Sequence, residues 1–159
     1  MIGCQAVVVL AEVKQQEWGW EPMTDNAREP SRVDLLEWLL QVEALGAGEI
    51  ILLSIDRDGR GVGMDLELIR SVSGLGLSIP VVASGGCGKP AHVLEGLEGG
   101  ADAIACGSMF GYYYADQVES VEDREGNWEW CRNRVKPFPG AGIPQVKNYL
   151  LEKGRTVRI

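Results

Sequence analysis

Three apolar runs along this chain stop in small or acidic residues. Glu49-Ile50-Ile51-Leu52-Leu53-Ser54-Ile55 ends in Asp56-Arg57-Asp58-Gly59; Ile79-Pro80-Val81-Val82-Ala83 ends in Ser84-Gly85-Gly86; Ala101-Asp102-Ala103-Ile104-Ala105-Cys106 ends in Gly107-Ser108. Short continuous apolar runs bounded by turn residues have the pattern of fully buried strands. A fourth run, Gln5-Ala6-Val7-Val8-Val9-Leu10-Ala11, lies before them and predicts another strand buried on both faces.

Helical patterns separate the runs. Ser31 reads as the N-cap of a helix through Leu45, with Asp34 three positions on as a short capping-box acid and Leu35, Leu36, Leu39, Leu40 and Val42 as the apolar stripe. Gly46 and Gly48 stop it. Further helices are predicted from Asp65 to Val72, Pro90 to Leu97 and Pro144 to Lys153, the last with Gly154 behind it as a stop. Gln15 to Pro30 reads as an excursion or hairpin. An acidic, aromatic insertion runs from Tyr112 to Gly142; its length suits a functional lid, a segment that pairs with another chain, or disorder, and the alternation of Trp128 and Trp130 with Glu129 equally suits a half-buried hairpin strand.

Strand and helix alternating four times predict an α/β fold, a parallel (βα) repeat in one domain over residues 1–159. A closed (β/α)8 barrel needs eight strands and roughly 250 residues, so four units make half a barrel. The first and fourth strands then leave apolar edges without neighbours. The expectation is a homo-oligomer, a complex with a chain supplying the other half, or a fragment of limited stability. In such repeats function gathers at the C-terminal ends of the strands.

Composition narrows the partners. With 159 residues, 45% of them hydrophobic, the chain can bury a sizeable core. A formal net charge of -8 without a basic cluster argues against nucleic acid. No apolar stretch is long enough for a bilayer and the start carries no signal-peptide pattern, so a cytoplasmic protein without a membrane partner is expected. Cys4, Cys87, Cys106 and Cys131 are too widely spaced for a zinc site and read as free structural cysteines; no metal or cofactor is expected. The single histidine, His92, reads as a solvated residue at a helix start.

Several segments together resemble the C-terminal half of the cyclase subunit of imidazole glycerol phosphate synthase. They are Gln5-Ala6-Val7-Val8-Val9, Gly46-Ala47-Gly48-Glu49-Ile50, Ser54-Ile55-Asp56-Arg57-Asp58-Gly59, Ala83-Ser84-Gly85-Gly86-Cys87-Gly88-Lys89 and Gly107-Ser108-Met109-Phe110, with Val146 to Gly154 similar to the family's last helix. The resemblance implies half of a TIM barrel and a role in histidine biosynthesis. A partner glutaminase would release ammonia, and a bis-phosphorylated aminoimidazole carboxamide ribonucleotide would be cleaved and closed into imidazole glycerol phosphate. The other half would hold the second phosphate site and the first catalytic aspartate.

Residue by residue, Asp58 matches the family's catalytic acid. Ammonia addition, loss of the carboxamide product and ring closure all move protons, and a positioned carboxyl group accelerates such steps by roughly 10²- to 10⁴-fold; read without the family, Asp58 is equally a turn aspartate. Gly85 and Gly86, with Gly107, Ser108 and Gly59, suit a phosphate cradle, because glycine lets backbone N–H groups approach oxygens and a helix start after Gly107 adds its positive end. Glycines after strands also serve simply as turns. Glu12 stands where the family has an aspartate, one methylene longer, with Lys14 matching the usual lysine; it is a possible supporting acid or a solvated strand end. Glu49, at a strand's N-terminal end, falls where the family's ammonia gate lies, and reads otherwise as a surface charge.

Three functions follow as expectations: a histidine-pathway cyclase half inactive without the rest; a cyclase-like subunit of an amidotransferase for surface-polysaccharide sugars, kept open by the insertion; or a non-catalytic phosphate-binding half-barrel. A truncated gene product, with Met1-Ile2-Gly3 directly before a strand, is a further expectation.

Overall fold

The computed structural model describes residues 3–117 and 136–158. Trp128, Glu129 and Trp130, on which the hairpin reading of the insertion rests, lie outside them. After a 3₁₀ turn at Cys4–Ala6, β1 (Val8–Gln16), β2 (Gly19–Thr24) and β3 (Glu29–Pro30) precede α1 (Leu35–Ala44). Then come β4 (Glu49–Ser54), α2 (Leu66–Ser73), β5 (Val81–Ser84), α3 (Pro90–Glu98), β6 (Ala103–Ala105), α4 (Ser108–Ala115) and α5 (Ile143–Glu152).

Among the described residues the strands form one sheet in the order β3-β2-β1-β4-β5-β6. β1, β4, β5 and β6 run parallel, in register Val8↔Glu49, Ile50↔Val81 and Val82↔Ala103. Each is followed by a helix, which gives the four βα units. The excursion after β1 is an antiparallel hairpin, pairing Val13↔Pro22 through Gln16↔Gly19. It covers only the end of β1, so the edge from Val8 to Glu12 is not covered by β2.

Alternation along the parallel strands sends one set of side chains toward the helices. Ala11, Val13, Ile50 and Leu52 pack there against Leu35 and Leu39 of α1 and Leu68 and Val72 of α2. A second cluster joins Ala83 and Met64 to Val93, Met109, Val146 and Leu150 beneath α3, α4 and α5. The opposite sheet face has no helix layer among the described residues. Val8 is 48% and Leu10 54% exposed on it, which corrects the expectation that the first strand is buried on both faces. An apolar strand was written for two covered faces, and this half supplies one cover.

Two local expectations also change. α1 is capped by Asp34, whose Oδ1 accepts from Glu37 N at 3.0 Å, and not by Ser31, whose Oγ accepts from Val33 N at 3.2 Å. Arg32 between them has a φ of 59°, outside the helical range, so the chain turns before it coils. His92 is 7% exposed, not solvated. Its Nδ1 accepts from Gly88 N at 3.2 Å, and the ring lies against Gly63.

Candidate active site

Asp58 leaves β4 through a tight turn, with its N–H donating to Ser54 O at 3.0 Å. The turn is anchored below by Asp65, the N-cap of α2: its Oδ1 accepts from Leu68 N at 3.2 Å, its Oδ2 accepts from Ser54 Oγ at 3.1 Å, and Arg57 Nε lies 3.6 Å away. Asp56 ties the turn sideways, accepting Gln15 N on Oδ2 at 3.0 Å. The carboxylate of Asp58 is exposed, and no described residue donates to it.

A single concavity is lined by Asp58 and Gly59 from β4's end, Ser84, Gly85, Gly86 and Cys87 from β5's end, and Ala105, Cys106, Gly107 and Ser108 from β6's end. The acid and all the cradle glycines predicted from sequence therefore meet at one rim. A Cβ on Gly59 would stand 3.9 Å from Ser108 Oγ, which shows how closely the first loop approaches the last.

The glycines are not equivalent. Gly85 and Gly86 have φ of 92° and 88°, and a Cβ would come within 2.6 Å of Ser54 O and 2.1 Å of Gly63 O. Packing alone requires them. Gly107 is different: its φ is -85°, and a Cβ would meet nothing within 4 Å. Nothing in the fold needs glycine there, so the bare backbone leaves room at the mouth of the concavity. Gly107 is the N-cap of α4 and has no side-chain cap, so the first amides of α4 present unpaired donors and the helix's positive end to whatever sits above them. An oxyanion is the ligand such donors suit.

Glu12 shares the uncovered sheet face and the cross-strand row Glu12, Leu53, Ser84, Ala105. It does not line the concavity. Two strand spacings put it ~10 Å from Ser84 along the row. Glu49 is the first residue of β4 and pairs with Val8, at the opposite rim, about 17 Å of strand from Ser54.

Sequence reasoning missed where the return of the insertion docks. Phe138 lies over Gly61, close enough that any Cβ there would overlap its ring, and stacks edge-on to Tyr112 with centroids 5.2 Å apart. Lys136 pairs with Asp116 and donates to Tyr112 O at 3.3 Å. The return of the insertion is thereby fastened to α4 and to the loop that carries Asp58. Its only sequence signal is an aromatic between two prolines, which does not say where it docks. The described residues contain no cluster of three or more His, Cys, Asp or Glu placed to hold a metal, and no helix long and apolar enough to cross a membrane.

Parallel βα units with an acid and glycine loops at the strands' C-terminal rim define a half-barrel of the class that binds ligands at that rim. The family described as Histidine biosynthesis protein matches residues 1–117, and the chain belongs to it. It is 38% identical over 158 residues to the imidazole glycerol phosphate synthase subunit HisF of Dehalococcoides mccartyi (strain 195), covering 99% of this chain and 52% of that protein. To the subunit HisF of Pyrobaculum aerophilum it is 40% identical over 157 residues, covering 99% of this chain and 51% of that one. The chain thus spans about half the length of the curated relatives it matches, and it corresponds to the C-terminal half of a HisF-like TIM barrel.

Proposed function

We propose that this chain is the C-terminal half of a cyclase subunit of the imidazole glycerol phosphate synthase type. The observation that carries the reading is the meeting of Asp58 with the glycine loops and the open start of α4 in one concavity. In this reading the amides at Gly107 and Ser108, with those of the β5 loop, hold one phosphate of a phosphorylated ribonucleotide. Asp58, exposed beside them, exchanges protons with the reacting end. A glutaminase partner supplies ammonia from the opposite rim, where Glu49 stands.

Among the described residues Asp58 is the one carboxylate that lines the concavity, because Glu12 stands outside it. That favours a half-site which grips a phosphate but does not turn over alone. No cofactor enters this chemistry. The test combines the purified chain with the N-terminal half of a HisF relative and follows ammonia-dependent cyclisation. Activity appears with the wild type and falls by roughly 10²- to 10⁴-fold for Asp58→Asn. Phosphate binding that survives both, with no cyclisation from any mixture, would leave the non-catalytic half-barrel as the reading.

A further inference from the structure

Two of the loops that line the concavity interlock behind it, and one side chain touches both. Gly63 N donates to Gly86 O at 2.9 Å, and a Cβ on Gly88 would stand 2.7 Å from Gly61 Cα, so the β4 loop that carries Asp58 and Gly59 lies directly against the β5 loop that carries Gly85 and Gly86. His92, in the first turn of α3, is buried and does not line the concavity. Its Nδ1 accepts from Gly88 N at 3.2 Å, which leaves the proton of the neutral ring on Nε2. That far edge faces the other loop. A Cβ on Gly63 would stand 3.8 Å from Nε2 and 3.9 Å from Cδ2. Gly88 is buried as well, and a buried N–H that loses its acceptor is costly.

We infer that His92 is a positioning residue of the candidate site: it clamps the β5 loop through the Gly88 amide and the β4 loop through Gly63, and so sets where Asp58 stands relative to the cradle amides. The link to a ligand rests on the anion-cradle reading above; the clamp itself does not. The loops need a hold from outside, because Gly61 and Gly63, with φ of 65° and 106°, bring no side chain to fix their own turns, and glycine loses the most conformational entropy on ordering. The bond from Gly63 to Gly86 joins the two loops, and His92 ties the joined pair to α3. One imidazole performs both tasks, since Nδ1 is a neutral acceptor and the far edge of the ring is a wedge. Substitution separates them. Phenylalanine keeps the wedge and loses the acceptor, whereas asparagine places its Oδ1 about where Nδ1 stood and loses the wedge.

In the full chain, amide hydrogen exchange should rise about tenfold at 85–88 for His92→Phe and chiefly at 59–63 for His92→Asn, while β1 and α1 exchange as in the wild type. Inorganic phosphate, titrated by calorimetry, should bind about tenfold more weakly to His92→Phe and within about threefold of wild type to His92→Asn, because the β5 loop holds cradle amides. NMR of the ring nitrogens in the wild type needs no variant. The ring proton belongs on Nε2, and a proton on Nδ1 would overturn the clamp even where a variant fails to fold. Exchange that rises evenly along the chain, or in neither loop, would overturn it too. Loosened loops with unchanged phosphate affinity in His92→Phe would sever the clamp from the site. If the wild type binds no phosphate, the cradle reading fails by itself, and the exchange pattern and the ring tautomer still decide the clamp.

Discussion

Ser54 and Asp65 are joined inside the core, the Ser54 hydroxyl donating to Asp65 Oδ2 at 3.1 Å, with both residues under one-tenth exposed. One sits at the end of β4 and the other caps α2, and the ten residues between them carry Asp58. A buried carboxylate is tolerated because each of its oxygens accepts a hydrogen bond and a guanidinium lies nearby. The bond therefore fixes both ends of the loop that presents the candidate acid.

Asp65→Ala should cost about 2–4 kcal/mol, since it removes a helix cap and leaves the Ser54 hydroxyl buried without its acceptor. Asp65→Asn keeps an acceptor for Leu68 N and should cost clearly less. Urea unfolding of the two variants checks the order; an alanine variant within 0.5 kcal/mol of wild type, at roughly the level of an ordinary surface change, would show that the loop is held some other way.

Gly86→Ala and Gly107→Ala separate packing from binding. At Gly86 the new methyl meets Gly63 O at 2.1 Å with φ at 88°, so unfolding at much lower urea is expected. At Gly107 it meets nothing and φ is ordinary, so stability should stay within about 1 kcal/mol. Phosphate affinity, measured by titration calorimetry, should nevertheless fall for Gly107→Ala, because the methyl occupies the mouth of the concavity. Unchanged affinity there would remove α4's start from the site.

Acid should loosen the fold through His92. Burial holds its folded pKa below the ordinary 6.5, with Glu95 opposing and Lys89 assisting. The unfolded chain then binds more protons in the window between the folded value and 6.5, so stability rises with pH there. The contribution is complete above 6.5 and lost as pH falls below it. Thermal midpoints of wild type should drop on acidification more steeply than those of His92→Gln, whose amide oxygen can still accept from Gly88 N. Parallel pH profiles would show that His92 stays neutral or that other groups dominate.

How much of this was written in the sequence depends on the range of the interaction. The runs ending at Ile55, Ala83 and Cys106 announced β4, β5 and β6, and the residues after them announced the rim, because strand burial and turn chemistry are local. Asp34 outcompeted Ser31 as a cap because Arg32 takes a left-handed conformation that an isolated capping pattern does not reveal. His92 looked solvated because its cover comes from Gly63 and Gly88, loops that only the closed fold brings near. Phe138 docks on Gly61 across about half the length of the chain, and no periodicity encodes that.

The open sheet face leads to a last prediction. Val8 and Leu10 are about half exposed at 48% and 54%, while Ala11 and Val13 on the other side of the same strand are 1% exposed. The neighbouring row continues through Ile51 and Val82, so the exposed side is a contiguous apolar strip. Such strips are covered in stable proteins or cause association, and the edge from Val8 to Glu12, which no described strand covers, adds unpaired backbone groups beside it. The isolated chain should therefore sediment as a dimer or larger species, and Leu10→Lys should shift it toward monomer without disturbing the helix-side core. Addition of the N-terminal half from a HisF relative should replace self-association by a one-to-one complex. A wild-type chain that sediments as a folded monomer at all concentrations would mean the strip needs no cover, and the half-barrel would then stand as an independent fold.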